Sequence, residues 1–218
     1  MDTKRIAELL QPFLAQPLSD MQLESISIYI DILQKWNQRI NLTAVRDPQG
    51  MVTRHFGESL LAAQHLFPRG SSTNKAEAQA RVADLGSGAG FPGFPLKIWT
   101  PAIHLTLIES NQKKATFLRE AARVLKMNDV EVFSGRAEEF HPKTADLVTM
   151  RAVERFESVL PTAARLLARS GRMALLIGEA QVEKARYALP SFQWTQPVLI
   201  PNSESRILMT GSLQAEVK

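Results

Sequence analysis

From Arg81 onward, the chain alternates short apolar runs with longer segments of helical periodicity. The apolar runs predict strands over RVADL, HLTLIES, VEVF, ADLVTM and RMALLIG. The segments between them predict helices over FPLKIW, NQKKATFLREAARVLK, ERFESVLPTAARLLA and EAQVEKARYAL. Strands that are apolar throughout are expected where helices cover both faces of a parallel sheet. The pattern therefore predicts an α/β fold with a mostly parallel sheet wound in the Rossmann manner.

The two ends of the chain complete this fold. Two late apolar segments, QWTQPVLI and RILMTG, are separated only by PNSES and predict an antiparallel pair at the sheet edge. The sheet would then have seven strands, including an antiparallel edge strand. Near the start, Ser19 and Gln22 form a capping-box pattern before a helix over 19–38, and Asp47 with Pro48 predicts a second helix start. We expect a helical cap over 1–70, a connector over 71–80 and a core over 81–218, packed as one compact unit.

Composition narrows the possible chemistry. Of 218 residues, 44% are hydrophobic and 22% are charged, as in an ordinary globular protein. The lack of cysteine excludes disulfides, thiolate metal sites and sulfur nucleophiles. Four histidines at 55, 65, 104 and 141 show no close metal-ligand spacing, so no bound metal is expected. The net charge of +4 is compatible with a polyanionic partner without requiring one.

The cellular setting follows from what the sequence lacks. No apolar run is long enough to cross a bilayer, and the first residues lack the long apolar core of a signal peptide. We therefore expect a cytoplasmic protein that does not associate with a membrane, and we expect it to be a monomer.

The stretch VADLGSGAGFPGFPL, residues 82–96, joins the first strand to a helix through an almost bare backbone. The strand ends at Asp84, and Gly86, Gly88 and Gly90 follow at every second position. Residues without Cβ atoms can adopt positive φ and let a ligand lie against the backbone amides, beside the partial positive charge of a helix N-terminus. The next strand ends near Glu109, 19 residues after Gly90 (109 − 90), close to the offset at which a Rossmann acid bonds ribose hydroxyls. Together these features favour a nucleoside cofactor over a simple tight turn capped by Glu109.

Several nucleotide cofactors can be compared with this loop. A GxGxxG pattern over Gly88, Gly90 and Gly93 keeps a nicotinamide dinucleotide open, but in that fingerprint the first glycine directly follows the strand. Here that glycine is Gly86, and a GxGxxG pattern counted from it would need a glycine at the position of Phe91. Asp84 would repel a pyrophosphate and suits an ammonium-bearing ligand such as S-adenosylmethionine. No GK[ST] follows the glycines, which excludes a Walker loop.

The loop DLGSGAGFPGFPL resembles the first motif of class I methyltransferases, and its two prolines resemble one family among them. Further matches run in order along the chain: KWNQRINLTAVRD at 35–47, RHFGESL at 54–60, ESNQKKATFL at 109–118, GRAEEF at 135–140 and TMRAV at 149–153. Together they resemble the RsmG family, also called GidB, which methylates N7 of a guanine in bacterial 16S ribosomal RNA with S-adenosylmethionine. After Val153 the likeness is mainly architectural.

The resemblance implies roles for particular residues. Gly86 and Phe91 would line the cofactor, Ala137 and Glu138 would lie beside its adenine, and Arg151 would close the pocket. One position departs from the family, because Glu58 stands where the RHxxDS pattern usually has aspartate. The role of Glu58 is left open by the sequence.

Methylation of a ring nitrogen suits a sequence with no evident nucleophile dyad or acid–base pair. N7 of guanine carries an in-plane lone pair and no proton, so it needs alignment and desolvation rather than a general base. We therefore expect no catalytic acid–base residue, with Arg151 the best candidate contributor. The absent cysteine excludes covalent attack on a pyrimidine ring, and no NPPY-like stretch indicates transfer to an exocyclic amine.

An RNA substrate needs cations for its backbone. The candidates in or beside the family motifs are Arg54, His55, Arg136 and Arg155, and those on the helix after Ser110 are Lys113, Lys114 and Arg123. A solvated helix face explains the second group equally well, and Ser110 is the expected cap of that helix. Two other functions remain open at this stage: a nicotinamide oxidoreductase, and a binding module on the same fold that has lost catalysis.

Overall fold

The computed structural model describes residues 1–69, 79–140, 144–153 and 155–214. Most of the predicted connector over 71–80 lies outside the described residues, as does His141.

The N-terminal part of the chain is helical. Helix α1 spans Thr3–Leu10 and continues as a 3-10 turn over Gln11–Phe13, and α2 spans Asp20–Asn37. The predicted capping box at α2 is confirmed, because the Ser19 hydroxyl accepts from the Gln22 amide and the Gln22 side chain accepts from the Ser19 amide. The sequence pattern therefore predicted this helix start correctly to within one residue.

A second helical run follows from Pro48. It begins with one turn, α3 (Pro48–Gly50), whose first amides are capped by the Asp47 side chain as predicted. The run widens into a π-helix over Met51–Gly57 and closes as α4 over Glu58–Leu66. Long π-helical segments are rare and often occur at functional sites, because they shift the direction of side chains relative to a regular helix. Here the widened turn carries Arg54 and His55.

The predicted alternation of strands and helices is confirmed along the rest of the chain. The strands are β1 Arg81–Leu85, β2 His104–Ile108, β3 Val130–Phe133, β4 Ala145–Arg151, β5 Leu167–Gly178, β6 Phe192–Trp194, β7 Val198–Leu199 and β8 Arg206–Leu213. The helices are α5 Gly93–Trp99, α6 Gln112–Val124, α7 Phe156–Leu166 and α8 Val182–Ala188. Helix α6 is capped by Asn111 rather than by Ser110 as expected, since the Asn111 side chain accepts from the Lys113 and Lys114 amides.

One sheet contains all of these strands in the order β3-β2-β1-β4-β5-β8-β6, with β7 also paired to β8. The pairs among β1 to β5 are parallel, whereas β8 is antiparallel to β5, β6 and β7. The sheet has one strand more than the expected seven, because QWTQPVLI forms two short strands instead of one. The antiparallel strand β8 therefore lies one place in from the edge.

Helices cover both sheet faces. On one face the N-terminal helices, α5 and α6 share a core with alternate strand residues such as Val82, Leu105 and Leu147. On the other face α7 and α8 pack against the intervening residues, such as Ala83 and Val148. The period of two in a strand sends neighbouring residues to opposite faces, so most positions of the central strands are apolar, with Asp84 and Thr149 as buried polar exceptions. Among the described residues, no helix is long and apolar enough to cross a membrane.

Candidate functional site

The glycine loop leaves β1 at the carboxyl edge of the sheet and enters α5. Gly86, Gly88 and Gly90 have φ values of 71°, 56° and 85°, a left-handed conformation that glycine adopts without steric cost. The amides of Gly86 and Ser87 donate to the Ile108 carbonyl of β2 at 2.9 and 3.1 Å, which ties the loop to the neighbouring strand. The predicted bare turn is thus present, and it is held rigidly.

Gly90 is required for a second reason: its neighbours lie too close for a Cβ atom at this position. A Cβ at this position would overlap the Phe94 ring and the Tyr29 hydroxyl. Tyr29 lies on α2 and donates its hydroxyl proton to the Ala89 carbonyl, so a helix of the N-terminal part directly supports the loop. At Gly88, by contrast, a Cβ would meet open space apart from the Gly86 carbonyl at 3.8 Å.

Asp84 lies beneath the loop and is completely buried. Thr149, which stands opposite it in the β1–β4 register, donates to its carboxylate at 2.7 Å, and the Gly93 amide donates at 3.2 Å. Burial raises the pKa of Asp84 to about 6, although these hydrogen bonds oppose that rise. The structure therefore gives Asp84 the role of joining β4 and α5 to the loop, and its expected contact with a ligand ammonium stays a prediction.

Glu109 follows β2 and points at the loop. Its carboxylate accepts from the Gly88 amide at 2.9 Å and from the Asn111 amide at 2.7 Å, and the residue is 7% exposed. Hydrogen bonds from two backbone amides, one to each oxygen, fix the direction of this carboxylate. The acid expected at the end of the next strand therefore lies against the glycine loop and bonds its backbone, and its expected contact with ribose hydroxyls stays a prediction.

Phe91, the next residue of the loop, sits in an aromatic cluster. Its ring stacks on Tyr29 at a centroid distance of 5.3 Å and meets His55 at 4.9 Å and Phe56 edge-on at 5.1 Å. The Arg151 guanidinium lies 5.9 Å from the same ring, within range of a cation–π contact. Phe91 thereby connects the loop to the π-helix and to the end of β4.

Arg151 ends β4 and reaches the N-terminal helices. Its Nη2 donates to the Arg54 carbonyl at 2.7 Å, to Glu58 Oε2 at 3.0 Å and to His55 Nδ1 at 3.1 Å. Burial lowers the pKa of Arg151, and Glu58 opposes that effect. An arginine with so high an ordinary pKa stays charged, so this is a buried ion pair.

Glu58 holds a second arginine as well. Its Oε1 lies 2.7 Å from Arg206 Nε at the start of β8, close enough for an ion pair although the angle is not that of a good hydrogen bond. The Glu58 side chain is only 2% exposed. This answers the question that the sequence left open: Glu58 joins the N-terminal helices to β4 and β8 through two guanidinium groups.

His55 is buried, contrary to the expectation that it faces RNA. Its Nε2 lies 2.7 Å from the Thr43 hydroxyl, while Nδ1 accepts from Arg151. Burial lowers its pKa to about 3, and the charges of Arg151 and Arg54 add to this effect. The ring is therefore neutral near pH 7 and serves to orient Arg151 rather than to contact a phosphate.

Several predicted site residues lie at the same edge of the sheet. Ala137 and Glu138 form a 3-10 turn after β3, with Ala137 half-buried and Glu138 exposed, and the preceding Arg136 is exposed. Arg54 and Arg155 are exposed, the latter with a left-handed φ of 53° just before α7. This placement agrees with the expectation for a ligand site in such folds, although it identifies no contact.

The basic residues of α6 divide into two groups. Lys113 and Lys114 occupy the first turn, near Glu109, where the helix dipole disfavours cations. Arg123 lies in the last turn and bonds the Glu120 carboxylate of its own helix at 2.7 and 2.8 Å, so part of its hydrogen-bonding capacity is used. Across the described ranges, no cluster of acidic and histidine side chains could hold a metal ion.

Three supports of this site could not be predicted from the sequence: Tyr29, Thr149 and Arg206. Tyr29 reads as part of an apolar helix stripe, and Thr149 as an ordinary strand residue. A signal for the Glu58–Arg206 contact existed in part, since a carboxylate within an apolar helix such as ESLLAAQHLF requires a buried partner. The sequence could not say which of many arginines provides it.

The fold and the loop together define a class. The parallel order β3-β2-β1-β4-β5, the antiparallel β8 and the glycine loop after β1 constitute the Rossmann-like fold of class I methyltransferases. Solved structures agree: the ribosomal protein L11 methylase of Lactobacillus delbrueckii subsp. bulgaricus superposes with a TM-score of 0.60 at 17% identity, over 74% of this chain and 79% of that one. P. horikoshii TYW2 in complex with MeSAdo gives a TM-score of 0.58 at 15% identity, over 74% and 63%. At these identities the likeness shows the fold alone.

Sequence comparison narrows the class to a family. A model of the GidB family, described as rRNA small subunit methyltransferase G, matches residues 22–203. The chain is 37% identical over 204 residues to a ribosomal RNA small subunit methyltransferase G of Roseiflexus castenholzii, covering 88% of this chain and 83% of that relative. It is 38% identical over 181 residues to the protein of the same name from Xanthomonas euvesicatoria pv. vesicatoria, covering 81% and 79%. The chain therefore belongs to the GidB family of methyltransferases, and the oxidoreductase alternative is not favoured.

Proposed function

We propose that this protein transfers a methyl group from S-adenosylmethionine to N7 of a guanine in bacterial 16S ribosomal RNA. The observation that carries the proposal is the family match over residues 22–203, which includes the glycine loop, Glu109 and Arg151. Relatives at 37% and 38% identity are named as small subunit rRNA methyltransferases. We further propose that the protein acts as a monomer in the cytoplasm.

The residues present fit the cofactor. Gly88 has open space where a Cβ would stand, so a flat nucleoside could lie against the backbone there. Glu109 is a carboxylate fixed beside this position by the Gly88 amide, and it could accept both ribose hydroxyls. Phe91, Ala137 and Glu138 would complete the adenosine site, and Arg151 would lie at its rim. S-adenosylmethionine supplies, when bound, the electrophilic methyl group of the reaction.

The protein's own residues must align the guanine with the methyl group and exclude water from the site. N7 of guanine needs no general base, and the titratable groups at the site agree with this. His55 has both ring nitrogens engaged, and Asp84 is closed off from solvent. Alignment of two reacting groups by a rigid site can contribute on the order of 7 to 11 kcal/mol in ideal cases. The hydrogen bonds that fix the loop to β2, β4 and α2 supply such rigidity.

The test is methyl transfer from labelled S-adenosylmethionine to 16S rRNA, or to small subunits, from cells that lack the gene for this protein. Digestion of the product to nucleosides should give labelled 7-methylguanosine. Labelled methyladenosine or methylcytidine would contradict the substrate assignment. Cofactor binding with no turnover on either substrate would instead support the non-catalytic alternative.

A further inference from the structure

A cleft of about 470 Å³ opens between the N-terminal helices and the loop before β8. One wall comes from the segment after α2 and from the turn of α3 with the π-helix, and the other comes from Pro201, Asn202 and Arg206. Three arginines line the cleft: Arg46, Arg54 and Arg206. None of the glycine-loop residues lines it, so it is distinct from the proposed cofactor site.

The charge of this cleft is positive after its internal pairs are counted. Its two carboxylates are Asp47 and Glu58. Glu58 is already shared between Arg206 and Arg151, and Asp47 accepts from the Gly50 amide at 2.6 Å as the cap of α3. Neither carboxylate pairs with Arg46 or Arg54, and among the residues that the structure describes these two guanidinium groups have no partner acid.

The arginines are arranged to receive an anion. Arg46 is held in place because its Nη1 donates to the Asn37 carbonyl at 2.9 Å and its Nη2 to Asn41 Oδ1 at 3.1 Å. Within the described ranges, the guanidinium of Arg54 and the terminal nitrogens of Arg206 have no acceptor. Guanidinium groups bind phosphate oxygens in paired hydrogen bonds, and those already held in place lose less entropy on binding.

The cleft is adjacent to the methyl-transfer site by direct contacts. Arg206 forms an ion pair with Glu58, Glu58 accepts a hydrogen bond from Arg151, and Arg151 lies over Phe91 of the glycine loop. We propose that this cleft binds a phosphodiester of the RNA strand that carries the target guanosine, with Arg46 and Arg54 as its contacts. The proposal rests on the proposed function for its RNA substrate, and it adds the place where the strand passes: between the π-helix and the β7–β8 loop.

The test compares RNA binding by the wild type, Arg54→Gln, Arg54→Lys and the control Arg169→Gln. Arg169 is also exposed and forms no ion pair with any described residue, but it lies near the start of β5, at the opposite edge of the sheet. The probe is protein-free 16S rRNA from cells that lack the gene, with affinity measured over a range of salt concentrations. Arg46→Gln is a second variant, used after a thermal melt shows that its fold is intact.

For Arg54→Gln we expect about a three- to tenfold weaker affinity at physiological salt and a slope of log K against log salt reduced by about 0.7 to 0.9. Arg54→Lys should keep the wild-type slope, and Arg169→Gln should keep both slope and affinity. In methyl transfer, Arg54→Gln should raise KM for RNA while leaving kcat and the Kd for S-adenosylmethionine unchanged.

The outcomes separate this inference from the proposed function. If the wild type transfers no methyl group, the proposed function fails, and the salt-dependent binding still tests the cleft. If Arg54→Gln and Arg169→Gln behave alike on naked RNA, the cleft does not bind a phosphodiester. An effect of Arg54→Gln that appears with intact subunits but not with protein-free RNA would point to a ribosomal protein and would also overturn the proposal.

Discussion

Replacing Glu58 by alanine should leave two arginines without their shared acid. The Arg151 side chain is 13% exposed and that of Arg206 is 34% exposed, so water can solvate the second charge but hardly the first. Removing one partner of a buried ion pair costs about 3 to 5 kcal/mol, whereas a largely solvated pair contributes about 0 to 1 kcal/mol. We therefore expect the free energy of unfolding to fall by about 3 to 5 kcal/mol, nearly all of it from the uncompensated charge of Arg151.

The same loss of stability can be expressed as a shift in melting temperature. For a chain of this size, 1 kcal/mol shifts the melting temperature by about 2 to 4 °C, so 3 kcal/mol corresponds to roughly 6 to 12 °C. The measurement is denaturant unfolding of Glu58→Ala and Glu58→Asp, with thermal melts as a second readout. Glu58→Asp keeps the charge but is shorter by one methylene, so it should hold one arginine well and fall between the wild type and Glu58→Ala.

The matched control is Glu120→Gln, which removes an acid from the exposed Arg123 pair of α6. This control should show no measurable change in stability. A loss below about 1 kcal/mol for Glu58→Ala, comparable to the control, would refute the view that Arg151 depends on Glu58 for its charge compensation.

Three further predictions follow from the site. Gly90→Ala should destabilise the protein and abolish binding of S-adenosylmethionine in calorimetry, because its Cβ would overlap Phe94 and Tyr29. At Gly88 a Cβ would meet open space, so Gly88→Ala should lower the free energy of unfolding only by the left-handed strain of about 1 to 2 kcal/mol. Glu109→Gln should weaken cofactor affinity about tenfold or more, and it should also lower stability by about 1 to 3 kcal/mol, because the single amide oxygen can accept from only one of the two backbone amides that Glu109 holds. An unchanged Kd for S-adenosylmethionine would exclude a ribose contact. The pKa of His55 is lowered to about 3, so the folded protein keeps this ring neutral while the unfolded chain protonates it below pH 6.5. The free energy of unfolding should therefore fall by up to about 1.4 kcal/mol per pH unit from pH 6.5 toward 3. A His55→Gln variant should lack this slope.

Asp84 changes the pH dependence of stability over the same range but in the opposite direction. The pKa of Asp84 is raised to about 6, so the folded protein takes up the proton more readily than the unfolded chain. Its contribution to the free energy of unfolding is therefore largest below pH 4 and is lost as the pH rises through 6. Between about pH 4 and 6 the two groups oppose each other. The His55 slope should consequently be seen most clearly in a protein that also carries Asp84→Asn, and between pH 6 and 6.5 in the wild type.

The pattern of strands and helices could be predicted from the sequence because apolar periodicity is local. Strands β1 and β3 were expected over their full length, and β2 and β4 within two residues of their observed bounds. Strand β5 begins at Leu167, five residues before the predicted start (172 − 167). The glycine loop and Glu109 were also expected, since they follow two strands that are consecutive in sequence and adjacent in the sheet. In such a unit, sequence order fixes spatial proximity.

The contacts of Glu58 could not be predicted, because they depend on distant parts of the chain. Arg206 is 148 residues away (206 − 58), and its strand inserts beside β5 rather than in sequence order. The burial of His55 was missed for a related reason: a regular helix was expected, and the π-helix turns this side chain toward Arg151. Charge and position in a motif suggested RNA contact, whereas tertiary packing placed the ring in the interior.

The support of the glycine loop explains why the N-terminal helices matter to the cofactor site. Three glycines in the left-handed region lose more conformational entropy on folding than other residues would. The fold offsets that loss with partners from three directions: Ile108 and Glu109 from β2 and its end, Asp84 from β1, and Tyr29 from α2. Since Tyr29 also stacks on Phe91, the N-terminal helices fix both the backbone and the aromatic wall of the loop. The helical part is therefore structurally part of the proposed cofactor site, and it also carries Arg46 and Arg54, the proposed contacts of the RNA strand.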